Sequence, residues 1–168
     1  MRTGVMNDLH IRPAEPRDAA TILQLIRDLA IYEREPDAVL ASEADIRNSL
    51  FGANPRVFAL VCEQGDTGVI GFAMYFYNYS TWLGRHGIYL EDLYVTPQAR
   101  GRGAGKALLK AVARIARDED CGRFEWSVLD WNTPAIEFYR ACGARSQDEW
   151  VGYRMDRAAL EAFADSPD

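Results

Sequence analysis

The sequence predicts an α/β (α+β) fold in which helices cover both faces of a mixed, mostly antiparallel sheet. Three observations carry that reading. Apolar positions recur at helical spacing in some segments, while others are β-rich apolar runs. Turn-forming residues join two such runs as a hairpin. Over residues 88–115 a strand, a glycine-rich turn and a helix follow one another. At 168 residues the chain is expected to form one domain over 9–168 after a short N-terminal extension, 1–8. That length buries roughly two thirds of the unfolded surface.

Leu9 to Arg12 reads as a short strand, and Pro16 suits the first turn of a helix whose apolar face is Ile22, Leu25, Ile26 and Leu29. Ser42-Glu-Ala-Asp45 resembles a capping box opening a second helix through Leu50, which Phe51-Gly52-Ala-Asn-Pro55 ends. Arg56 to Cys62 and Val69 to Tyr79 are predicted strands joined through Glu63-Gln-Gly-Asp-Thr-Gly68. A strand over 85–95 leads into the glycine turn, with Leu108, Val112 and Ile115 marking the helix behind it. Phe124 to Leu129 is the next strand, and Asn132-Thr-Pro134 opens a helix over Ala135 to Ala141 that Gly143 stops. One or two closing strands are expected between Ala144 and Met155, then a short polar helix from Asp156 to Ala164.

Composition narrows the function classes. The content is 48% hydrophobic and 26% charged, as in a soluble globular protein, and no apolar run approaches the roughly 20 residues needed to cross a bilayer. Met1 to His10 lack the apolar core of a signal peptide. Cys62, Cys121 and Cys142 are odd in number and form no paired motif, so reduced thiols, each buried, in a cytoplasmic protein are expected. The net charge of −6 has the wrong sign for a nucleic-acid binder and suits a small cationic partner. Acids gather at Glu33, Glu35, Asp37, Glu91, Asp92 and Asp130, while Arg102, Lys106, Lys110, Arg114 and Arg117 make one helix basic. Solvated faces are the commoner origin of such runs.

The glycine turn carries the sharpest signal. Gly101, Gly103 and Gly105 open a helix, whose free N–H groups and positive dipole end favour a phosphate. Arg100, Arg102 and Lys106 add charge of the right sign. A P-loop is excluded: Arg100 stands where its first glycine belongs, and Ala107 where Ser or Thr must follow the lysine. A dinucleotide fingerprint is excluded as well, because its third glycine falls on Lys106 or Leu108.

Arg100-Gly101-Arg102-Gly103-Ala104-Gly105 does resemble the coenzyme A signature Q/R-x-x-G-x-G/A of the GNAT superfamily of N-acetyltransferases. That resemblance implies a central sheet splayed at an acetyl-CoA site. It also implies a loop from Arg100 to Lys106 holding the pyrophosphate, and Leu93, Tyr94 and Val95 as the strand whose backbone meets the pantetheine arm and the acetyl carbonyl. Acetyl-CoA is then the acetyl-donor cosubstrate, with no metal.

Acetyl transfer to an amine needs a free amine, a stabilised oxyanion and a proton for the leaving thiolate. An alkyl amine of pKa about 10.4 costs about 4–5 kcal/mol to deprotonate near neutral pH. Glu91, just before the loop, is the candidate base, acting through a water; on an ideal strand Asp92 points to the opposite face. A salt bridge is the plainer role for Glu91. Tyr139 is the candidate acid, since a phenol of pKa about 10 suits a thiol of about 8.5. The family commonly has its acid at this place, and the resemblance also assigns Tyr139 itself, with Asn132 and Ala135 at the start of that helix, to the coenzyme. A packed tyrosine with its hydroxyl at the surface is the alternative. His10 and His86 are the only histidines and lie near no nucleophile motif. No metal-ligand spacing appears, and the cysteines lack an identifiable base.

Further segments resemble the diamine acetyltransferase branch, the spermidine/spermine N1-acetyltransferase group: Ile11-Arg-Pro-Ala14, Ile26-Arg-Asp-Leu-Ala-Ile-Tyr-Glu33, Gly71-Phe-Ala-Met-Tyr-Phe76, Tyr89-Leu-Glu-Asp92, Trp131-Asn132 and Phe138-Tyr139. This resemblance implies that Tyr32, Glu33 and Glu91, with Asp92, line the amine site. It puts Glu125, Trp126 and Ser127 at substrate-facing positions and implies a homodimer. The polyamine enzymes carry an acid in a Y-D-P-W stretch, where this chain reads Tyr79-Ser-Thr-Trp82; losing that carboxylate weakens attraction for a distal ammonium. Together with Val128-Leu-Asp-Trp-Asn132, this looks like the thialysine-acetylating type, with Trp82 beside the acceptor. The segment after Gly143 is shorter than in the branch. A protein N-terminal or lysine acetyltransferase and a non-catalytic coenzyme A regulator are the rival readings. The first needs an open peptide groove that Tyr32, Trp82 and Trp126 would narrow; the retained Glu91 and Tyr139 argue against the second.

Overall fold

A computed structural model describes residues 8–167, so all of the expected extension 1–8 but Asp8 lies outside the described residues. The chain divides into two compact units, one ending at Ser127 and one beginning at Val128.

The first unit holds a five-stranded sheet: β1 (Leu9–Pro13), β2 (Phe58–Gln64), β3 (Val69–Ser80), β4 (Arg85–Val95) and β5 (Phe124–Trp126). The strands lie in chain order. The first three pairings are antiparallel and β4–β5 is parallel, so the mixed, mostly antiparallel expectation holds. The helices of this unit are α1 (Ala19–Tyr32), α2 (Glu43–Phe51) and α3 (Ala104–Asp118). A short 3-10 turn, Gly65–Thr67, closes the β2–β3 hairpin.

Alternation along the strands sorts the core into two layers. Ala59, Val61, Phe72, Met74 and Tyr94 join Ile22, Leu23 and Leu25 of α1 and Ile46 and Leu50 of α2 in one buried cluster. The intervening residues Leu60, Cys62, Ala73, Tyr75, Ile88 and Leu90 are buried on the opposite face. There α3 packs across the sheet with Leu108, Leu109 and Val112 buried. Fully burying a side chain such as Phe72, Ile22, Ile88 or Leu108 contributes about 1.5–3 kcal/mol.

Pro16 opens a separate 3-10 turn, Pro16–Asp18, ahead of α1, rather than α1 itself. The cause is Asp18, which accepts from the Glu15 N–H and is gripped through both oxygens by Arg12. Arg12 also donates to Glu63, tying β1, β2 and the helix entry together. Ser42 caps α2 through the expected capping box with Asp45.

The second unit contains α4 (Thr133–Ala141) and α5 (Arg157–Ala164). Asn132 caps α4 by accepting from the Ala135 N–H, Gly143 at φ 92 follows its end, and Asp156 caps α5. Three expectations are corrected here. The strand expected over 124–129 has only three residues, because its pairing to β4 stops at Trp126. The closing strands expected between 144 and 155 do not form among the described residues. Val151, Tyr153 and Met155 alternate as a strand would, but all are exposed, and no strand among the described residues of this unit supplies ladder partners. The last helix, expected to be polar, exposes Leu160 and Phe163. A fourth correction concerns the cysteines: only Cys62 is buried, Cys121 is intermediate, and Cys142 is exposed at the C-cap of α4.

Candidate active site

The site begins with a break in strand pairing. β5 follows β4 only from Ile88 to Leu90, while β4 continues beside β3 to Val95. Beyond Leu90 no strand among the described residues pairs with the outer edge of β4, which is the splay that the sequence resemblance implies. A register shift between Met74 and Tyr75 skips Glu91: Tyr75 faces Leu90 and Met74 faces Asp92. Glu91 is therefore the extra residue of a β-bulge, and simple alternation between Glu91 and Asp92 fails there. Glu91 is exposed and Asp92 half-buried.

Past Val95, a 3-10 turn (Pro97–Ala99) leads to Gly101 at φ 77 and Gly103 at φ 89. Both angles lie in the left-handed region open to glycine. Gly103 is the N-cap of α3, so the helix starts at the end of the open strand and its first N–H groups have no intrahelical acceptor. Arg102 and Lys106 are exposed there. Arg100 is exposed as well, but its side chain turns back to the strand: its Nε donates to the Val95 carbonyl at 3.0 Å, and its guanidinium lies 5.0 Å from the centre of the Tyr32 ring and 5.4 Å from that of Tyr94.

Tyr32 is the last residue of α1 and Glu33 its C-cap. Glu33, Glu35 and Asp92 line a cavity of about 190 Å³ with Ile26, Leu29, Ala30, Ala38 and Val39. Burial raises the Glu33 carboxyl above the usual range. Asp92 is pushed up to about 6, first by burial and then by the charges of Glu91 and Glu33. The acids that the sequence gathers on paper thus meet in part, on one apolar-walled pocket.

On β5, Glu125 accepts from Asn78 at 2.8 Å and pairs with Arg123 at 2.8 Å. Trp126 packs edge-on to Phe124, and Ser127 shares a 2.7 Å hydrogen bond with the Tyr89 hydroxyl. Trp82 is 85% exposed in the turn between β3 and β4. From Arg85 to Glu91 the strand rises about 20 Å, so within one chain Trp82 stands well away from the carboxylates. Tyr139 and Ala135 lie half-buried on α4 and Asn132 is buried at its cap; Tyr139 packs beside Phe138.

Burial pushes the Cys62 thiol up to about 11 and raises Cys121 as well, helped by Glu119 and Asp120, which suits neither to nucleophilic work. Among the described residues no group of His, Cys, Asp and Glu is arranged to hold a metal ion. Sequence reasoning missed Asn78 as the partner of Glu125 and Tyr94 as a platform for Arg100. The first pair forms across β4, where Asn78 is paired with Gly87 and a Cβ at that glycine would lie 2.6 Å from Asn78 Oδ1; no spacing signal announces it.

Comparison with known proteins follows the same lines. The profile of the Acetyltransferase (GNAT) family matches residues 20–144. A thialysine N-epsilon-acetyltransferase of Sus scrofa is 41% identical over 170 residues, covering 95% of this chain and 99% of that protein. The L-ornithine N5-acetyltransferase NATA1 of Arabidopsis thaliana is 31% identical over 205 residues, covering 96% and 90%. Among solved structures, an integron cassette protein from the mobile metagenome of V. cholerae superposes with a TM-score of 0.79 at 29% identity, covering 95% of this chain and 99% of that one.

Proposed function

Because this chain belongs to the acetyltransferase (GNAT) family, whose donor is acetyl-CoA, we propose that it acetylates a primary amine of a small thialysine-like, diamine or polyamine substrate. The observation that carries this reading is the left-handed Gly101–Gly103 turn feeding α3 at the open edge of β4, with Glu91 and Asp92 on the same edge.

The reaction is direct attack in a ternary complex. N–H groups from Gly101 to Lys106 bind the pyrophosphate, with Arg102 and Lys106 supplying charge, and Asn132 and Ala135 contribute from α4. Backbone along Leu93–Val95 aligns the thioester. Glu91 takes one ammonium proton through a water, the free amine nitrogen attacks the carbonyl carbon and passes its second proton to solvent water, and the tetrahedral intermediate collapses by breaking the C–S bond. Tyr139 gives its phenolic proton to the departing thiolate. Tyr32, Glu33, Asp92, Trp126 and Ser127 contact the amine, and Glu125 adds its charge from β5.

The acceptor reading rests on relatives named for thialysine and L-ornithine, both compact amines, and on the cavity that Glu33, Glu35 and Asp92 line. Residues 9–168 work as one acetyltransferase domain. The exposed Val151, Tyr153, Met155, Leu160 and Phe163 support a homodimer in which Trp82 meets the partner's acceptor. No described helix is long and apolar enough to cross a membrane; a cytoplasmic enzyme without nucleic-acid partners fits the charge of −6.

The test is thiol release from acetyl-CoA with thialysine, ornithine, putrescine, spermidine, lysine and a lysine peptide. Turnover is expected to favour thialysine or a short diamine, and tight acetyl-CoA binding with no turnover on any amine would sink the reading. Tyr139→Phe is expected to slow turnover by roughly 10²-fold or more, a larger effect than its weakening of coenzyme binding; an unchanged maximal rate would remove Tyr139 from the acid role.

A further inference from the structure

Arg100 belongs to the coenzyme loop by sequence, and its side chain also reaches the strand before the loop and the end of α1. Its Nε is committed to the Val95 carbonyl at 3.0 Å, and its guanidinium lies over two tyrosine rings at 5.0 and 5.4 Å. One ring, Tyr94, is buried in the sheet core. The other, Tyr32, is the final residue of α1, next to the cap residue Glu33 that lines the acidic cavity. A planar cation in contact with two rings is a directional arrangement that lysine does not reproduce.

The end of α1 is itself a poised element. Arg34 follows the Glu33 cap at φ 68, a left-handed conformation normally left to glycine. Two backbone bonds close this terminus, Arg34 N–H to Ile31 O and Glu35 N–H to Ala30 O, the pattern of a Schellman motif without its glycine. A helix end held in that conformation by a non-glycine residue depends on neighbours to keep it closed. Tyr32 stacked under Arg100 is such a neighbour.

We propose that Arg100 is a positioning residue that clamps the end of α1 to the coenzyme loop through Tyr32 and Tyr94, so that coenzyme A binding orders the Tyr32–Glu33 edge of the acceptor pocket. The clamp's value for acetyl transfer rests on the amine-site reading above; the clamp itself does not. A ligand that fixes the loop backbone around Gly101–Lys106 favours the stacked state of Arg100, and the stack favours the closed helix end. Linkage makes the coupling reciprocal, so an amine bound against Glu33 tightens coenzyme binding by the same factor.

Hydrogen exchange of the full-length protein with and without coenzyme A reads the clamp directly. In the wild type, coenzyme A is expected to slow exchange of the 33–35 amides by about five-fold, alongside protection of the 101–107 loop. Tyr32→Phe is expected to keep the slowing, and Tyr32→Leu to abolish it while loop protection persists; Arg100→Lys is expected to abolish it at coenzyme A concentrations raised until the 101–107 loop is fully protected. A merely structural role for the stack would shift exchange at 33–35 equally in free and bound protein. Should Tyr32→Leu fail to fold, Arg100→Lys decides. No coenzyme-dependent slowing in the wild type, or its survival in Arg100→Lys, overturns the clamp. Slowing in a protein that acetylates no amine would sink the amine-site reading alone.

Discussion

Asp92 on β4 and Glu33 at the cap of α1 line one cavity of about 190 Å³ walled by Ile26, Leu29, Ala30 and Val39, and their charges act on each other. Burial first, then Glu91 and Glu33, push the Asp92 carboxyl up to about 6. Above that pH the cavity holds an ionised Asp92 that attracts an ammonium; below it the group is neutral. For the amine substrate, kcat/KM is therefore expected to fall as pH drops through about 6. Asp92→Asn should lack that bend and lose roughly ten-fold at pH 7.5, the equivalent of about 1.4 kcal/mol of charge attraction. A pH–rate series from 5 to 8.5 on both proteins checks this; a bend near 6 that survives in the variant would clear Asp92 of the role.

The same carboxyl is expected to cost stability. Its folded pKa of about 6 lies above the ordinary value of 3.8, so between those values the folded state binds more protons than the unfolded chain. Stability then falls as pH rises through that window and stays lowered above it. Asp92→Asn is expected to raise the urea midpoint at pH 7.5, with the gain shrinking toward pH 4. A variant no more stable than the wild type at pH 7.5 would contradict the burial argument. Such a trade of stability for a charged pocket is common at functional sites.

Arg12 carries the opposite sign. Its guanidinium donates to both oxygens of Asp18 at 2.7 and 3.0 Å, and these bonds hold the Asp18 carboxyl below the ordinary 3.8. A lowered folded pKa means that the contribution is complete above the unfolded value and is lost as pH falls from about 4 toward the folded pKa. Arg12→Met strands Asp18, which is 5% exposed, and is expected to cost about 3 kcal/mol. Asp18→Asn in that background should restore part of the loss. Urea melts at pH 7 measure both; a single variant within experimental error of wild type would show that water replaces Arg12.

Most of the fold is legible because period and punctuation agree along the chain. Ser42 with Asp45, Asn132 before Pro134 and the three glycines before Ala107 each mark a helix end that forms where the residues say. What escapes reading depends on partners distant in sequence. The bulge at Glu91 exists only because Met74 and Tyr75 impose the register, so the different settings of Glu91 and Asp92 are invisible in Tyr89-Leu-Glu-Asp92 itself. The end of α1 carries no glycine, since Arg34 takes the left-handed position. Val151, Tyr153 and Met155 have strand alternation without a ladder partner, and pattern alone does not supply one. In the site, the loop and the carboxylates are readable as residue types. That Arg100 stacks on Tyr32, 68 positions earlier, is a tertiary fact.

Two glycines close to Val95 predict opposite responses to the same change. Gly71 pairs with Val95, and a Cβ there would sit 2.6 Å from the Tyr94 carbonyl oxygen and 3.3 Å from the Val95 Cα. Those are backbone atoms held by a ladder, so β4 must move away along the Leu93–Val95 stretch proposed to align the thioester. Gly71→Ala is expected to cost about 1–3 kcal/mol and to weaken acetyl-CoA binding. Gly105 lies in the first turn of α3, and a Cβ there meets only Val95 Cγ2 at 3.9 Å, an ordinary contact. Gly105→Ala is expected to stabilise by about 0.5–1 kcal/mol through helix propensity and to keep coenzyme affinity. Thermal melts and acetyl-CoA titrations of the two variants test the pair; equal losses in both would mean that the loop tolerates no added side chain and that the strand-displacement argument is wrong.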